Sequence, residues 1–419
     1  MKTIGNLELE ELLETQNNIV NSKINLESIL EIDISKLKKI TFKNCSFTGS
    51  DIYFREYSSS NHDAVALHFI DCEFHNEQLN FSNCKIENIY FAKVIIKGDL
   101  SLSNCEVSSL TFRSGCKIDV LDIYNSKINN RFIINKRNVF QKISISNVFF
   151  KSQVTFFDSV FSNIDISYGV FENQFFFNKN FINNSISIDN CSFHISNFDT
   201  NTFYSSDEAY HLNLLNNKFK DVSSFSHIKA SKSKMIIRDC DFNKFTRFNN
   251  SKFKLLHIEQ SNFKDISSFQ DTNLESVFID RTNFDKTSYF DDIFISNIED
   301  CNKRTLRNIK QQLQRANNKI DFDRFKSYEI SAYREELKKE KKIWLNNKDA
   351  FILGISNLFS KNGTNWFRAL LVTIIGSFIF YSLFFWINVN SAQFGNFDIS
   401  KVESFINGFT KFLIPTKYL

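Results

Sequence analysis

A four-residue pattern that recurs from residue 40 to residue 300 constrains this chain most strongly. Each copy reads Asn or Asp, then Cys, Ser or Thr, then any residue, then Phe or another large apolar residue. In the clearest run the small residues are Cys240, Ser251, Ser261, Thr272 and Thr282, so the spacing alternates between 11 and 10 and the full period is 21. Such a period is typical of one coil of a parallel β-helix, and residues 40–300 would hold about 12 coils.

Each position of the pattern has a predicted place in the coil. The large apolar residues stack on those of the next coil, the small residues face inward, and the Asn or Asp holds the corner by bonding to nearby backbone. Residues 1–39 are predicted to form an N-terminal helical cap, with a helix over residues 6–30. The pattern is irregular near residues 203–219, where we expect a loop around residues 207–211 to protrude.

The cysteines belong to the same pattern. Ser and Thr replace Cys at the same phase and no CxxC pair exists, so we interpret the cysteines as small core residues with reduced thiols. Seven of the eight occupy the small inward position, namely Cys45, Cys72, Cys84, Cys105, Cys116, Cys191 and Cys240. The seven histidines lack metal-ligand spacing, and no phosphate-binding loop or nucleophile motif occurs. We therefore expect no metal, no cofactor and no catalytic residue, and not an enzyme.

The repeats resemble those of the pentapeptide-repeat family, in which a small residue stands two positions before a central Phe or Leu, as in Cys240-Asp241-Phe242 and again at residues 251–253. This resemblance implies a right-handed parallel quadrilateral β-helix. Residues 1–301 carry 32 Lys and Arg against 38 Asp and Glu. A net charge of −6 is the opposite of the basic face that duplex DNA attracts, so no duplex DNA partner is expected.

A membrane-spanning segment is predicted after the repeats. Residues 369–387 contain no charged side chain, and Trp366 and Trp386 bracket them as an aromatic belt, with Arg368 at one end. We therefore assign residues 366–388 to a transmembrane helix. Basic residues crowd the side that precedes the helix, whereas Lys401 alone lies within 20 residues beyond it. By the positive-inside rule, we expect a single-pass protein of the cell inner membrane with a cytoplasmic β-helix.

Small and polar residues form a stripe along this helix. Thr373, Gly376, Ser377 and Tyr381 recur at spacings of three and four, in line with Ala369. In a lipid environment such a stripe indicates either a helix-packing seam or the lining of a pore. Both alternatives require self-association, so a homo-oligomer is expected.

Two amphipathic segments flank the predicted span. Residues 349–365 suit a juxtamembrane helix that lies on the inner leaflet among membrane lipids. Residues 389–419 form an external tail, in which residues 402–414 place Glu403, Asn407 and Lys411 on one face of a helix. The apolar face holds Val402, Phe405, Ile406, Phe409, Phe412 and Leu413. This helix would either lie on the outer leaflet or re-enter the membrane.

Residues 301–348 are predicted to form a basic helical hairpin, with helices over residues 303–317 and 321–344. Residues 302–348 carry 14 Lys and Arg against 6 Asp and Glu. The apolar faces of the two helices need partners, either each other or neighbouring subunits. The basic charge would serve as a collar for lipid headgroups or as a site for an anionic ligand such as a nucleotide or oligonucleotide. The candidate contacts are Arg304, Arg307, Lys310, Arg315, Lys338, Lys339, Lys341 and Lys342.

The hairpin resembles, over about 45 residues, the segment that joins pentapeptide repeats to membrane helices in bacterial membrane-anchored repeat proteins. Some of those have channel-like C-termini, and some are encoded in anti-phage (antiviral) defence loci. Two hypotheses follow. In the first, the chain is an oligomeric effector that forms an ion channel and responds to an anionic ligand or a protein regulator. In the second, the chain is a non-conducting, membrane-anchored scaffold.

Overall fold

The computed structural model describes residues 1–57, 65–204, 211–339, 348–360, 363, 365–389 and 399–413. They belong to two compact units, Met1–Asp321 and Phe322–Leu419. The helices are α1 Asn6–Thr15, α2 Lys303–Arg315, α3 Lys319–Lys339, α4 Lys348–Ser360, α5 Trp366–Val389 and α6 Ile399–Leu413, with 3-10 turns at Ile34–Lys36 and Ile298–Asp300.

The strands have two to ten residues and follow one another closely along the first unit. In chain order they are β1 Lys2–Ile4, β2 Asn18–Val20, β3 Ser22–Leu26, β4 Leu30–Asp33, β5 Lys39–Lys43, β6 Ser46–Gly49, β7 Ile52–Arg55, β8 Val65–Ile70, β9 Glu73–Phe74, β10 Gln78–Ser82, β11 Lys85–Ala92, β12 Ile95–Ser103, β13 Glu106–Arg113, β14 Lys117–Tyr124, β15 Lys127–Asn135, β16 Val139–Ser146, β17 Phe149–Phe150, β18 Gln153–Phe157, β19 Val160–Ser167, β20 Val170–Asn178, β21 Phe181–Asp189, β22 Ser192–Asn197, β23 Thr202–Phe203, β24 His211–Leu215, β25 Lys218–Phe219, β26 Ser223–Ser224, β27 Lys229–Arg238, β28 Asp241–Phe242, β29 Thr246–Arg247, β30 Lys252–Glu259, β31 Asn262–Phe263, β32 Ser267–Ser268, β33 Asn273–Asp280, β34 Asn283–Phe284, β35 Ser288–Tyr289 and β36 Phe294–Ile295.

The first unit is a parallel β-solenoid of about 13 coils with a period of about 22 residues. Each strand pairs in parallel with strands of the neighbouring coils, as β30 does with β27 and β33. The predicted β-helix is therefore confirmed, while the expected 12 coils and period of 21 are slightly too small. The count is low because strand pairing begins at Lys2, where it joins Ser22, and not at residue 40. The period is longer because several central coils have 22 residues, as between Ile96 and Ile118.

The predicted N-terminal helix over residues 6–30 is wrong beyond its first half. Helix α1 ends at Thr15, and the chain then forms β2, β3 and β4. Ile19 is 2% exposed and Val20 is 46% exposed, which is the alternation of a strand. β-Branched residues in succession favour strand over helix, and the next coil offers them a pairing partner. The helix that does form buries Leu9 and Leu13.

The Asn and Asp residues of the pattern turn the chain at the corners in a way that differs from the prediction. They adopt left-handed backbone, with φ of 54° at Asn44, 51° at Asn104 and 56° at Asn250. Asn and Asp accept this conformation more readily than other non-glycine residues. The Asn44 backbone N–H donates to the Ile70 carbonyl of the next coil (2.9 Å), so the corner stays within the solenoid's hydrogen-bond ladder.

Stacked aromatic rings fill the interior of the coils. Phe253, Phe263 and Phe284 are 2%, 1% and 7% exposed, so their predicted inward orientation is confirmed. The rings of consecutive coils lie nearly parallel at 4.6 to 5.2 Å, through Phe193, Phe219, Phe242, Phe263 and Phe284. All eight cysteines are buried and form no disulfide, including the seven at the small position of the pattern. The loop expected around residues 207–211 lies largely outside the described residues.

Candidate membrane helix and its flanking segments

Helix α5 has the length and composition of a membrane span. The stretch Trp366–Phe384 has 19 residues and a mean hydropathy of 1.9, and only 6% of it is buried. At 1.5 Å per residue it covers about 28 Å, close to the hydrocarbon thickness of a bilayer. Asn365 caps its start, because its Oδ1 accepts from the Arg368 backbone N–H at 2.9 Å. One helix in the described residues is thus long and apolar enough to cross a membrane.

The predicted stripe on α5 divides into two parts. Thr373 is exposed, and its hydroxyl donates to the Ala369 carbonyl one turn earlier at 2.9 Å. At Gly376 an added Cβ would meet nothing within 4 Å, and Ser377 is half-buried. Tyr381, in contrast, is only 8% exposed. The first three positions therefore remain available to lipid, water or another subunit, whereas Tyr381 is packed inside the chain.

Tyr381 packs against helix α6. Its ring centroid lies 5.1 Å from that of Phe405, 5.7 Å from Phe409 and 5.7 Å from Phe412. Phe378, one turn earlier, lies 5.6 Å from Phe405 and 5.5 Å from Phe409. Five aromatic side chains thus join α5 to α6.

Gly408 is a packing residue that sequence reasoning missed. A Cβ at this position would lie 1.8 Å from the Tyr381 hydroxyl oxygen and 2.9 Å from its ring carbon Cζ. Only glycine leaves room for the tyrosine there, so the close approach of the two helices depends on this residue. The available signal was a glycine inside a helix otherwise rich in large apolar residues, where it lowers helix stability unless packing requires it.

The rest of α6 separates polar from apolar residues as the periodicity predicts. Glu403, Asn407 and Lys411 are exposed and lie away from the aromatic contact. Ile406, on a third side of the helix, is 54% exposed. Helix α4 is similar in that Ile352, 60% exposed, belongs to an apolar surface without a covering partner in the described residues.

Helix α2 of the basic segment forms the C-terminal cap of the solenoid. Leu306, Ile309 and Leu313 are 0% exposed. Thr305 Oγ1 accepts from the Ile279 N–H at 2.8 Å and donates to the Ile279 carbonyl at 3.2 Å. The apolar face of α2 therefore has a partner in the last coils, which is neither of the two partners expected from the sequence.

The candidate basic residues on α2 point in several directions. Arg304 Nη1 lies 3.9 Å from Asp280 Oδ1, although the side chain is 80% exposed. Arg315 Nη1 donates to the Phe284 carbonyl at 3.2 Å and so holds the cap in place. Arg307 is exposed and Lys310 is half-buried. For Lys338 and Lys339 the structure gives the helical backbone only, and Lys341 and Lys342 lie outside the described residues.

Two of the buried thiols and two of the histidines are held in their neutral forms. Burial raises the pKa of Cys191 and of Cys240 to about 12, which keeps both thiols protonated. Burial also lowers the pKa of His68 and of His257, so both rings are neutral at physiological pH. In the part of the chain that the structure describes, no three His, Cys, Asp or Glu side chains converge so as to hold a metal.

Comparison with known proteins gives no match. No protein family, curated protein or solved structure is similar to this chain.

Proposed function

We propose that this chain is the subunit of an oligomeric effector of the cell inner membrane, in which α5 helices from several copies surround an ion-conducting pore. The observation that carries the proposal is the surface of α5. Apolar residues are exposed on several sides of the helix, as at Leu371 (43%), Ile375 (50%) and Phe380 (72%), so it requires lipid or other copies. Thr373, Gly376 and Ser377 supply the small and polar positions at which copies can meet.

In this proposal the solenoid is the cytoplasmic sensing domain. Its repeats resemble those of the pentapeptide-repeat family, and its long outer surface suits a protein regulator. The basic segment that follows offers exposed guanidinium groups, such as Arg304, to an anionic ligand such as a nucleotide or oligonucleotide. The resemblance to membrane-anchored repeat proteins of anti-phage loci supports the proposal that this response serves antiviral defence.

The orientation follows from the distribution of charge. Basic residues are concentrated before α5, and we propose that this side is cytoplasmic. A protease added to sealed cells should then spare residues 1–365. Digestion of the solenoid under these conditions would reverse the proposed orientation.

The pore is tested with the full chain extracted in detergent and reconstituted in liposomes. The particle mass should be that of an oligomer, and the liposomes should pass ions. Ser377→Leu should abolish flux while the oligomer persists, because leucine fills a small lining position. Ile375→Leu, at an exposed apolar position of the same helix, is the control and should leave flux unchanged. If Ser377→Leu dissociates the oligomer, the stripe is a seam. A monomeric wild-type protein would refute the pore.

One observation favours the alternative function of a non-conducting scaffold. The Thr373 hydroxyl is already satisfied by the Ala369 carbonyl of its own helix, so it needs no water. A scaffold would use α5 as an anchor and the solenoid as a binding surface. It predicts no flux from wild-type liposomes and no effect of Ser377→Leu on either flux or particle mass.

A further inference from the structure

We infer that helix α6 re-enters the membrane beside α5, and that its polar side, formed by Glu403, Asn407 and Lys411, lines the water-filled path between subunits. The inference deepens the proposed pore and rests on α5 spanning the membrane. The residues that carry it lie on α6 and add to the lining that the stripe on α5 supplies.

The first step is the depth at which the two helices meet. Phe378 and Tyr381 belong to the span Trp366–Phe384, and both contact Phe405 and Phe409 of α6. Since three to six residues separate these contacts from the end of that span, they lie about 5–9 Å inside it. Helix α6 is thus held at the depth of the hydrocarbon core by aromatic packing.

The second step is the direction of α6. Tyr381 precedes the end of α5, Val389, by eight residues, and Gly408 follows the start of α6, Ile399, by nine residues. The Tyr381–Gly408 contact therefore lies about 12–14 Å from the facing end of each helix. With equal lengths on both sides, the two helices can be joined as an antiparallel hairpin, and we take them in that arrangement. In such a hairpin Lys411 is level with Ser377, near the middle of the span.

The third step is the environment that each side of α6 requires. The side with Phe405, Gly408 and Phe409 is occupied by α5. Ile406, 54% exposed, is suited to lipid. Glu403, Asn407 and Lys411, at successive intervals of four, are exposed on the remaining side. Charged groups at this depth must face water or polar partners. The side with these three residues therefore faces the same side of neighbouring copies across a water-filled path.

This arrangement assigns a selectivity to the pore. A ring of Lys411 ammonium groups near mid-membrane would attract anions and repel cations. In liposomes, wild-type protein should pass chloride in preference to potassium. Lys411→Glu should reverse that preference, whereas Lys411→Arg, which keeps the charge, should preserve it. Equal preference in the Glu and Arg variants would overturn the assignment of Lys411 to the path.

A second measurement tests re-entry without relying on conduction. Nitroxide labels on Val402→Cys and Ile406→Cys report the depth of each position in the membrane. The labels attach selectively to these positions, because the eight native cysteines are buried. Both residues are exposed and lie on the same side of α6. Re-entry places the label at 406 about 6 Å deeper than that at 402. Equal depths would mean that α6 lies flat on the membrane and would overturn the inference, even if the liposomes conduct. A depth difference without any flux would instead uphold re-entry and refute the pore.

Discussion

Replacing Phe263 with alanine should open the solenoid locally. The ring is 1% exposed and lies between Phe242 at 4.7 Å and Phe284 at 5.1 Å, both stacked on it. Phe248 and Phe269 contact it edge to face at 6.4 and 6.2 Å. Truncating a buried Phe costs about 3–5 kcal/mol. Because four aromatic contacts are lost and the neighbouring rings are held by their own coils, we expect a value near the upper end of that range.

Hydrogen exchange followed by mass spectrometry on the full chain measures this cost coil by coil. A loss of about 4–5 kcal/mol should raise the exchange rate of amides in residues 240–290 by roughly a thousandfold or more, if they exchange through local opening. Coils near Phe112 should keep their wild-type protection, because each coil contacts only its neighbours.

Phe245→Ala is the matched control, since Phe245 is half-buried and packs beside Arg247 on the surface (5.6 Å). It should cost less than about 1 kcal/mol. Unchanged protection over residues 240–290 in Phe263→Ala would refute the proposed stacking energetics. Uniform loss of protection along the whole solenoid would refute the independence of distant coils.

The other predictions concern a corner, the cap and the hairpin. Asn250 has a φ of 56°, so Asn250→Val should lower the free energy of unfolding by about 1–2 kcal/mol, whereas Asn250→Gly should change it little. Urea denaturation measures both changes, and equal costs for the two variants would contradict the conformational argument. Thr305→Val leaves the buried Ile279 N–H unpaired and should lower the free energy of unfolding by about 1–3 kcal/mol, which hydrogen exchange would detect as faster exchange of that amide. Thr305→Ser keeps the hydroxyl and is the control. Gly408→Ala should lower the melting temperature in detergent, because the added Cβ would collide with the Tyr381 hydroxyl. Adding Tyr381→Leu to this variant should restore the melting temperature. A Gly408→Ala protein that melts like wild type would show that the contact is not close.

The fold was predictable because its signal is repeated many times. A single Asn-Ser-Lys-Phe sequence is compatible with many turns, but a small residue returning at alternating spacings of 10 and 11 identifies a coil. The start of the solenoid was missed because the first coils lack this signal. There Ile24 and Leu30 fill the interior, and no Phe precedes Phe42.

The partners of the helices were less predictable than the helices themselves. Periodicity showed that α2 has an apolar side, but Leu306 and Ile309 do not reveal whether a helix or the end of a solenoid will cover them. Tyr381 likewise belonged to a stripe by spacing, and only its contacts with α6 distinguish packing inside the chain from lining between chains. Such complementarity depends on two distant segments and has no periodic signature.

The cap formed by α2 and the start of α3 also determines how the solenoid ends. The last coil would otherwise present unpaired strand edges, the surfaces through which β-structures join one another into fibres. Side-chain oxygens accept hydrogen bonds from three backbone N–H groups of this coil. Thr305 accepts from the Ile279 N–H, and Gln312 accepts from the Ser288 N–H (3.3 Å). The Asp321 carboxylate accepts from the Asp292 N–H (3.0 Å). A chain cut before α2 would carry an open template, on which a second solenoid could continue the ladder. The cap therefore blocks the end of the solenoid at which a second solenoid would otherwise stack.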